Sequence, residues 1–257
     1  MKAVLKLLTI FFLLSGALAC SGQNSKPEFK VLVLAENGGH HILFSQRAAI
    51  WLDKLAQERN FSVEYLQNTE KVNEKYLSQF QLFIQLDYPP YGWTKEAETA
   101  FVKYISEGKG GWIGLHHATL LGEFDGFKMW DWFSDFMGGI RYKNYIPTFV
   151  SGKVNVEKSS HPVMKNVPSS FQINQEEWYI YDKSPRKNVQ VLASVDESSY
   201  QPETGIKMGD HPVVWTNPAF KARNIYIFMG HSPKLFENEA YVQLFKNAIF
   251  WAANQKQ

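Results

Sequence analysis

The chain has a single cysteine, Cys20, in 257 residues. No internal disulfide can form, so the fold must hold by packing alone even in an oxidising compartment. Thiol chemistry is also excluded everywhere beyond residue 20. An excess of charge is missing as well: 27 Lys and Arg stand against 25 Asp and Glu. Lys2 and Lys6 lie ahead of Cys20, so the remainder is formally neutral. Without basic runs, that balance argues against nucleic acid as a partner. Past the N-terminus no apolar stretch approaches the length of a membrane span. A Gly-x-Ser-x-Gly elbow, a phosphate-binding glycine loop and a His-Glu-x-x-His helix are all absent. Glu36-Asn37-Gly38-Gly39, after the first apolar run, lacks the glycine spacing of a dinucleotide site.

The N-terminus reads as an export signal. Lys2 and Lys6 precede the apolar run Leu7 to Leu14, which is short for a span, and Gly16-Ala17-Leu18-Ala19-Cys20 places small residues before a cysteine. This resembles a bacterial lipobox, with Ala17 where leucine is usual. Residues 1–20 are then a lipoprotein signal ending at the lipidated Cys20, and 21–28 a polar tether. The alternative is cleavage elsewhere, with Cys20 incidental. The 238 residues from Cys20 onward suit one α/β domain.

Apolar runs and amphipathic stretches alternate from Phe29. Strands are expected at about 30–34, 61–66, 81–86 and 111–115, with helices near 45–59, 73–79 and 94–108. Thr94 suits a helix start and Gly108 a helix end. This rhythm predicts a doubly wound, mostly parallel sheet of the flavodoxin or glutamine-amidotransferase kind. From about Ser151, strand-like pieces (152–156, 189–194, 212–216) separated by polar loops predict an antiparallel extension. A strand at 223–229 and a final helix with Tyr241, Leu244, Phe245, Ala248, Ile249 and Ala252 on one face return to the main fold.

Ligands of such sheets bind beyond the carboxyl ends of the strands. Three histidine positions fall there: His40/His41 after the first strand, His116/His117 after the fourth and His231 after the late one. Strand alternation predicts that only one member of each pair faces the cleft. The plain alternative is that histidine favours turns. Glu176 and Glu177, in Glu176-Glu177-Trp178-Tyr179, are the main acids: a ligand, an orienting group or a base on one reading, a solvated turn on the other. His161 and His211, each before proline, are held extended and have structural roles as the alternative. Trp132, Phe133 and Phe136 fit core packing at helical spacing. Trp130, Trp93 and Tyr91 offer flat faces to a sugar ring, with the turn from Asp87 to Trp93 on the same rim.

With those residues placed, the chain resembles the trehalose-utilisation (ThuA-like) family over about residues 29–254. The markers are Gly111 to Ala118 with His116 as the strand-end histidine, Gly138-Gly139, His161-Pro162, Glu176 to Tyr179, Pro212 to Trp215, Gly230-His231 and Trp251-Ala252. The family fold is similar to class I glutamine amidotransferases, in which a comparable strand-to-turn junction carries a cysteine; here it carries His116. Two departures stand out: Asn144 where the family often has a histidine after its Gly-Gly pair, and Glu176 where it often has aspartate. The resemblance implies a link to sugar utilisation, with His116, His231, Glu177 and Glu176 as candidate catalytic groups. The candidate ligand-binding positions are His41, Tyr91, Trp93, His117, Trp130, Asn144, His161 and Tyr179.

Two functions remain open from sequence. One is an enzyme that processes a disaccharide or an oxidised sugar; the other is a sugar-binding lipoprotein without catalysis. The expected partners are a small carbohydrate and, through Cys20, a membrane. No cofactor is certain, though histidine and carboxylate together suit a divalent metal. Replacing Cys20 with alanine is expected to release the protein from washed membranes; unchanged fractionation would refute lipidation.

Overall fold

The computed structural model describes residues 26–36, 41–124 and 126–255. Cys20, the tether up to Ser25 and His40 lie outside them. Strand β1 (Lys30–Leu34) leads to helix α1 (Ile42–Glu58), β2 (Ser62–Leu66), a short α2 (Glu74–Leu77), β3 (Leu82–Gln85), α3 (Lys95–Glu107) and β4 (Gly111–Leu115). The next elements are α4 (Asp131–Phe136), β5 (Tyr142–Tyr145), β6 (Val150–Val156), β7 (Ser170–Glu176) and β8 (Tyr179–Tyr181). The chain closes with β9 (Gln190–Gln201), β10 (Pro212–Thr216), β11 (Asn224–Ile227) and α5 (Glu239–Ala252).

Nine strands form one sheet in the order β2-β1-β3-β4-β11-β10-β9-β6-β7, and β5 pairs with β8 separately. The first five in that order run parallel, and the rest are antiparallel. The parallel half has the flavodoxin-like order, with its switch point between β1 and β3, where ligand crevices open. The fold class expected from sequence is the one observed.

The sequence accounts for this locally. Every residue of β3, β4 and β11 is buried, and apolar runs of this kind belong to central strands covered on both faces. One cover is α1 with α5, joined where Trp51 stacks on Phe245 at 5.1 Å. The other is α3 with α4, where Phe101 packs on Phe133 and Phe136, and Phe136 on Trp112. Thr94 caps α3 by accepting from the Ala97 N–H at 3.1 Å, and Gly108 ends it at φ +72°. Among the described residues no helix is long and apolar enough to cross a membrane.

Three strands had no counterpart in the sequence reading: β5, β7 and β8. The Glu176–Tyr179 segment, for which the sequence leaves a solvated turn as the alternative to a functional role, joins the end of β7 to the start of β8. Elsewhere the extension is as expected but longer, β9 running to Gln201.

Gly111 allows α5 to close on β4. A β-carbon there would lie 2.1 Å from the Ala252 carbonyl oxygen, a backbone atom that can move only with its helix. Gly111→Ala is therefore expected to destabilise the fold by about 1–3 kcal/mol. Urea unfolding checks this; an unchanged midpoint would show that α5 shifts freely.

Candidate functional site

Strand β4 stops at Leu115, and the backbone at His116 turns left-handed, with φ +40°. A non-glycine residue there is costly and needs support. The His116 carbonyl accepts from Tyr226 OH at 2.7 Å and from Thr119 Oγ1 at 3.0 Å, and Tyr181 OH lies 2.6 Å from Thr119 Oγ1. Gly230 leaves the room: a β-carbon there would come within 2.8 Å of His116 Cβ. Because the chain leaves the extended conformation at His116, alternation ends. The rings of His116 and His117 lie on one side, stacked at 4.9 Å, instead of on opposite faces as strand periodicity predicts.

Four elements meet around these rings. His41 begins α1 and stacks on His117 at 3.4 Å, with His231 edge-on to His41 at 4.5 Å. Glu177 follows β7, and its Oε2 lies 3.2 Å from His116 Nε2, 3.5 Å from His231 Nδ1 and 3.9 Å from His117 Nε2. Tyr179 OH is 3.0 Å from His116 Nε2. His116 Nδ1 is 2.8 Å from the Phe228 carbonyl, which can only accept, so Nδ1 carries the proton. His116 Nε2 thus presents either a lone pair or a second proton to the carboxylate.

The electrostatics follow from burial and neighbours. Burial opposes ionisation of Glu177, but hydrogen bonds from His116 and His231 and the charge of His116 outweigh it and hold the carboxyl far below its usual range. Burial likewise disfavours charge on His231, yet Glu177 and Glu176 overcome it and raise its pKa. His117 is pushed well down, first by burial and then by His116 and His41. Burial, then Glu177, keeps the Tyr179 phenol protonated.

Glu176 and Glu177 part company. Glu177 reaches the cleft floor, whereas Glu176 is fully buried beneath it and accepts from the backbone N–H of His231 at 2.8 Å and of Ser232 at 3.3 Å. Burial raises its pKa against the pull of His116 and His231. It ties the loop carrying His231 to the end of β7, so neither acid sits in a solvated turn.

Above the floor opens a cleft of about 490 Å3. His117, Glu177, Tyr179 and His231 form its base; Tyr88, Tyr91, Phe124, Tyr142, Tyr145 and Phe149 form its walls. Tyr91 is fixed by donating to the Leu120 carbonyl at 2.6 Å and stacks on Phe127 at 5.7 Å. Other residues singled out from sequence lie elsewhere. Trp93 is buried against Phe83 and Phe101, and Trp130 stacks on Trp132, so both belong to the core rather than the cleft wall. Asn144 is exposed on β5 and does not line the cleft. His161 accepts from the Val163 N–H and packs on Trp251 at the far edge of the sheet. His211 is buried against Glu197 at 3.0 Å and Tyr200 at 3.1 Å. Tyr142 and Tyr145 escaped the sequence reading because β5 is too short to show a period, and Phe149 because it lies in the connection to β6.

One ligand atom each from His41, His116, Glu177 and His231 lie within 4.8 Å of one another. Three imidazoles and a carboxylate form a donor set that suits zinc and similar ions. The Nδ1–H of His116 held by a backbone carbonyl is the bond that fixes a metal-binding tautomer. These residues therefore fit a divalent ion.

Comparison with known proteins gives the chain relatives. The model of the trehalose-utilisation family, ThuA, matches residues 30–252. A protein from Bacteroides uniformis described as ThuA-like has a similar structure, with TM-score 0.78 and 31% identity over 88% of this chain and 92% of its own. Another from Parabacteroides merdae has TM-score 0.62 at 19% identity, covering 90% and 91%. A protein from Thermoplasma acidophilum described as part of a GMP synthase shares the fold at TM-score 0.55 and 14% identity, covering 88% and 94%. No curated protein matches the chain in sequence.

The two acids should separate in a stability measurement. Glu176→Ala strands two backbone N–H groups in the interior and is expected to cost about 1–3 kcal/mol in urea unfolding. Glu177→Gln, at the cleft surface, is expected to cost less. Equal losses would refute the division of roles.

Proposed function

The chain belongs to the trehalose-utilisation family, and from that membership and the cleft we propose an enzyme that processes a disaccharide or an oxidised sugar by histidine–glutamate acid–base chemistry. The observation that carries the proposal is the convergence of His117, His231 and Glu177 on the floor of an aromatic cleft. Aromatic walls suit the C–H-rich face of a sugar ring and lose little rotamer freedom on binding.

Titratable groups whose environments push their pKa values apart mark the acid and the base. His117, neutral and facing the cleft, is the base. His231, its pKa raised by Glu177 and Glu176, is the acid. Glu177 stays anionic and balances the charge on the imidazoles. Tyr179 stays a phenol and can donate to a substrate oxygen. Such a pair can remove a proton beside a carbonyl and return it, or protonate a leaving oxygen. Glu176 acts through the loop it holds and is a positioning residue.

The four-donor set supports a second reading of the same floor, in which His41, His116, His231 and Glu177 hold a divalent ion. Two of the donor separations, 3.2 and 3.5 Å, are close to the ~3.4 Å between ligands of a tetrahedral ion with bonds of ~2.1 Å. A bound ion would polarise a carbonyl oxygen or acidify water, and His117 would remain the base. Lipidation at Cys20 would hold either form at a membrane surface after export.

Purified protein is expected to turn over disaccharides or their keto derivatives, and His117→Ala to lower kcat by about 100- to 10,000-fold with the fold intact by circular dichroism. Metal content, and activity after chelation, separate the two readings. Sugar binding without turnover in the wild type would favour the binding-lipoprotein alternative.

A further inference from the structure

The opposite edge of the sheet, where the strands begin, gathers cations that are scattered in sequence. Lys109, Lys221 and Arg223 border one groove beside Gln81 and the end of α5. Arg59, Lys165 and Lys246 border a second, around Phe250. Both border the last turns of α5, where Arg59 lies over the Phe250 ring and Arg223 over the neighbouring Trp251 ring. Lys30 is exposed beside the first groove, its backbone N–H donating to Gln81, and Lys26 is exposed beside a third groove, its carbonyl accepting from Asn60 there. Lys109 is neutralised by Glu107 and Glu74, and Glu58 is paired with Lys54. That leaves Lys26, Lys30, Arg59, Lys165, Lys221, Arg223 and Lys246, none ion-paired among the described residues, against two exposed acids without an ion pair, Glu28 and Asp53. In a chain that is formally neutral after Cys20, this edge is strongly cationic.

The described chain also enters here. Glu28 N–H donates to the Asn60 carbonyl, at the junction between α1 and β2. Five residues lie between Cys20 and Lys26, six Cα-to-Cα steps in all. Fully extended, those six steps reach about 21 Å at most. An anchor on Cys20 therefore keeps the cationic edge close to the bilayer and turns the cleft, at the other end of every parallel strand, away from it.

We propose that this edge docks on anionic lipid headgroups, so that the tethered protein stands with its cleft facing the aqueous side. The inference rests on the lipidation of Cys20 proposed above. Cations near a charged leaflet are attracted within about a Debye length, ~8–10 Å, and a tether this short holds them within a few such lengths. For an exported, lipidated chain, lipid is the anionic polymer-like surface that it meets, not nucleic acid.

The test reconstitutes the mature lipidated protein into phosphatidylcholine vesicles with and without phosphatidylglycerol. A dye on Asn166→Cys, at the cationic edge, or on Lys128→Cys, in the loop beside the cleft, transfers energy to acceptors in the bilayer. With phosphatidylglycerol, transfer from position 166 is expected to exceed that from 128. The difference should shrink in high salt and vanish in Lys165→Glu/Lys221→Glu/Lys246→Glu. Equal transfer from the two positions, or no effect of charge reversal in a variant that circular dichroism shows folded, would overturn the docking. Mass spectrometry of Cys20 reads the anchor separately. If Cys20 is unmodified, the anchor fails, and co-sedimentation of the unlipidated protein with the same vesicles still decides the face. Tighter binding of that protein to duplex DNA than to the vesicles would overturn the lipid assignment.

Discussion

At the floor of the cleft a carboxylate held in its ionised form sits among three imidazoles, and that balance of charge constrains what surrounds it. Glu177 has His116, His231 and His117 within 4 Å, and the Nδ1–H of His116 is donated to the carbonyl of Phe228. A proton on His231, whose pKa Glu177 and Glu176 raise, or a divalent ion would balance the carboxylate. Much of the surrounding structure serves that arrangement. The hydroxyls of Thr119 and Tyr226 hold the left-handed turn that aims His116, Gly230 admits it, and Glu176 fixes the loop that brings His231 across. Removing one support would leave the others holding a charge with no counterpart, which is why the cluster is expected to behave as a unit.

The parallel half was legible in the sequence because its signals are local and redundant. The apolar runs at Val31–Leu34 and Trp112–Leu115 are flanked by capped amphipathic helices, so each strand is bounded from both sides. Strand ends of a parallel sheet share an edge, and this placed His41, His116 and His231 together from topology alone. The extension was less legible. Residues 142–145 and 179–181 are too few to display a period of two, and Ser170–Glu176 alternates only weakly between polar and apolar residues.

The errors in the aromatic and histidine assignments have physical causes of the same kind. An indole reads alike in sequence whether it packs or presents its face, so Trp93 and Trp130 could not be told from Tyr91. Alternation across a strand holds only while the chain stays extended, and His116 is the residue at which it ends. The difference between Glu176 and Glu177 is likewise invisible without β11, since it depends on which carboxylate meets the backbone N–H groups of residues 231 and 232. Nor does a run-based reading of charge find the cationic edge, because the fold collects it from strand starts and helix ends.

The hydrogen bond between His116 and Phe228 joins positions 112 residues apart, and β4 pairs with a strand made more than a hundred residues later. Contacts so distant in sequence form late, since their closure entropy must be met before they stabilise anything. A growing chain therefore exposes its histidines singly, without the assembled donor set, until β11 has arrived. Were the cluster to take up a divalent ion, the compartment where synthesis and folding finish, and not the preference of the four donors alone, would determine which ion it meets first.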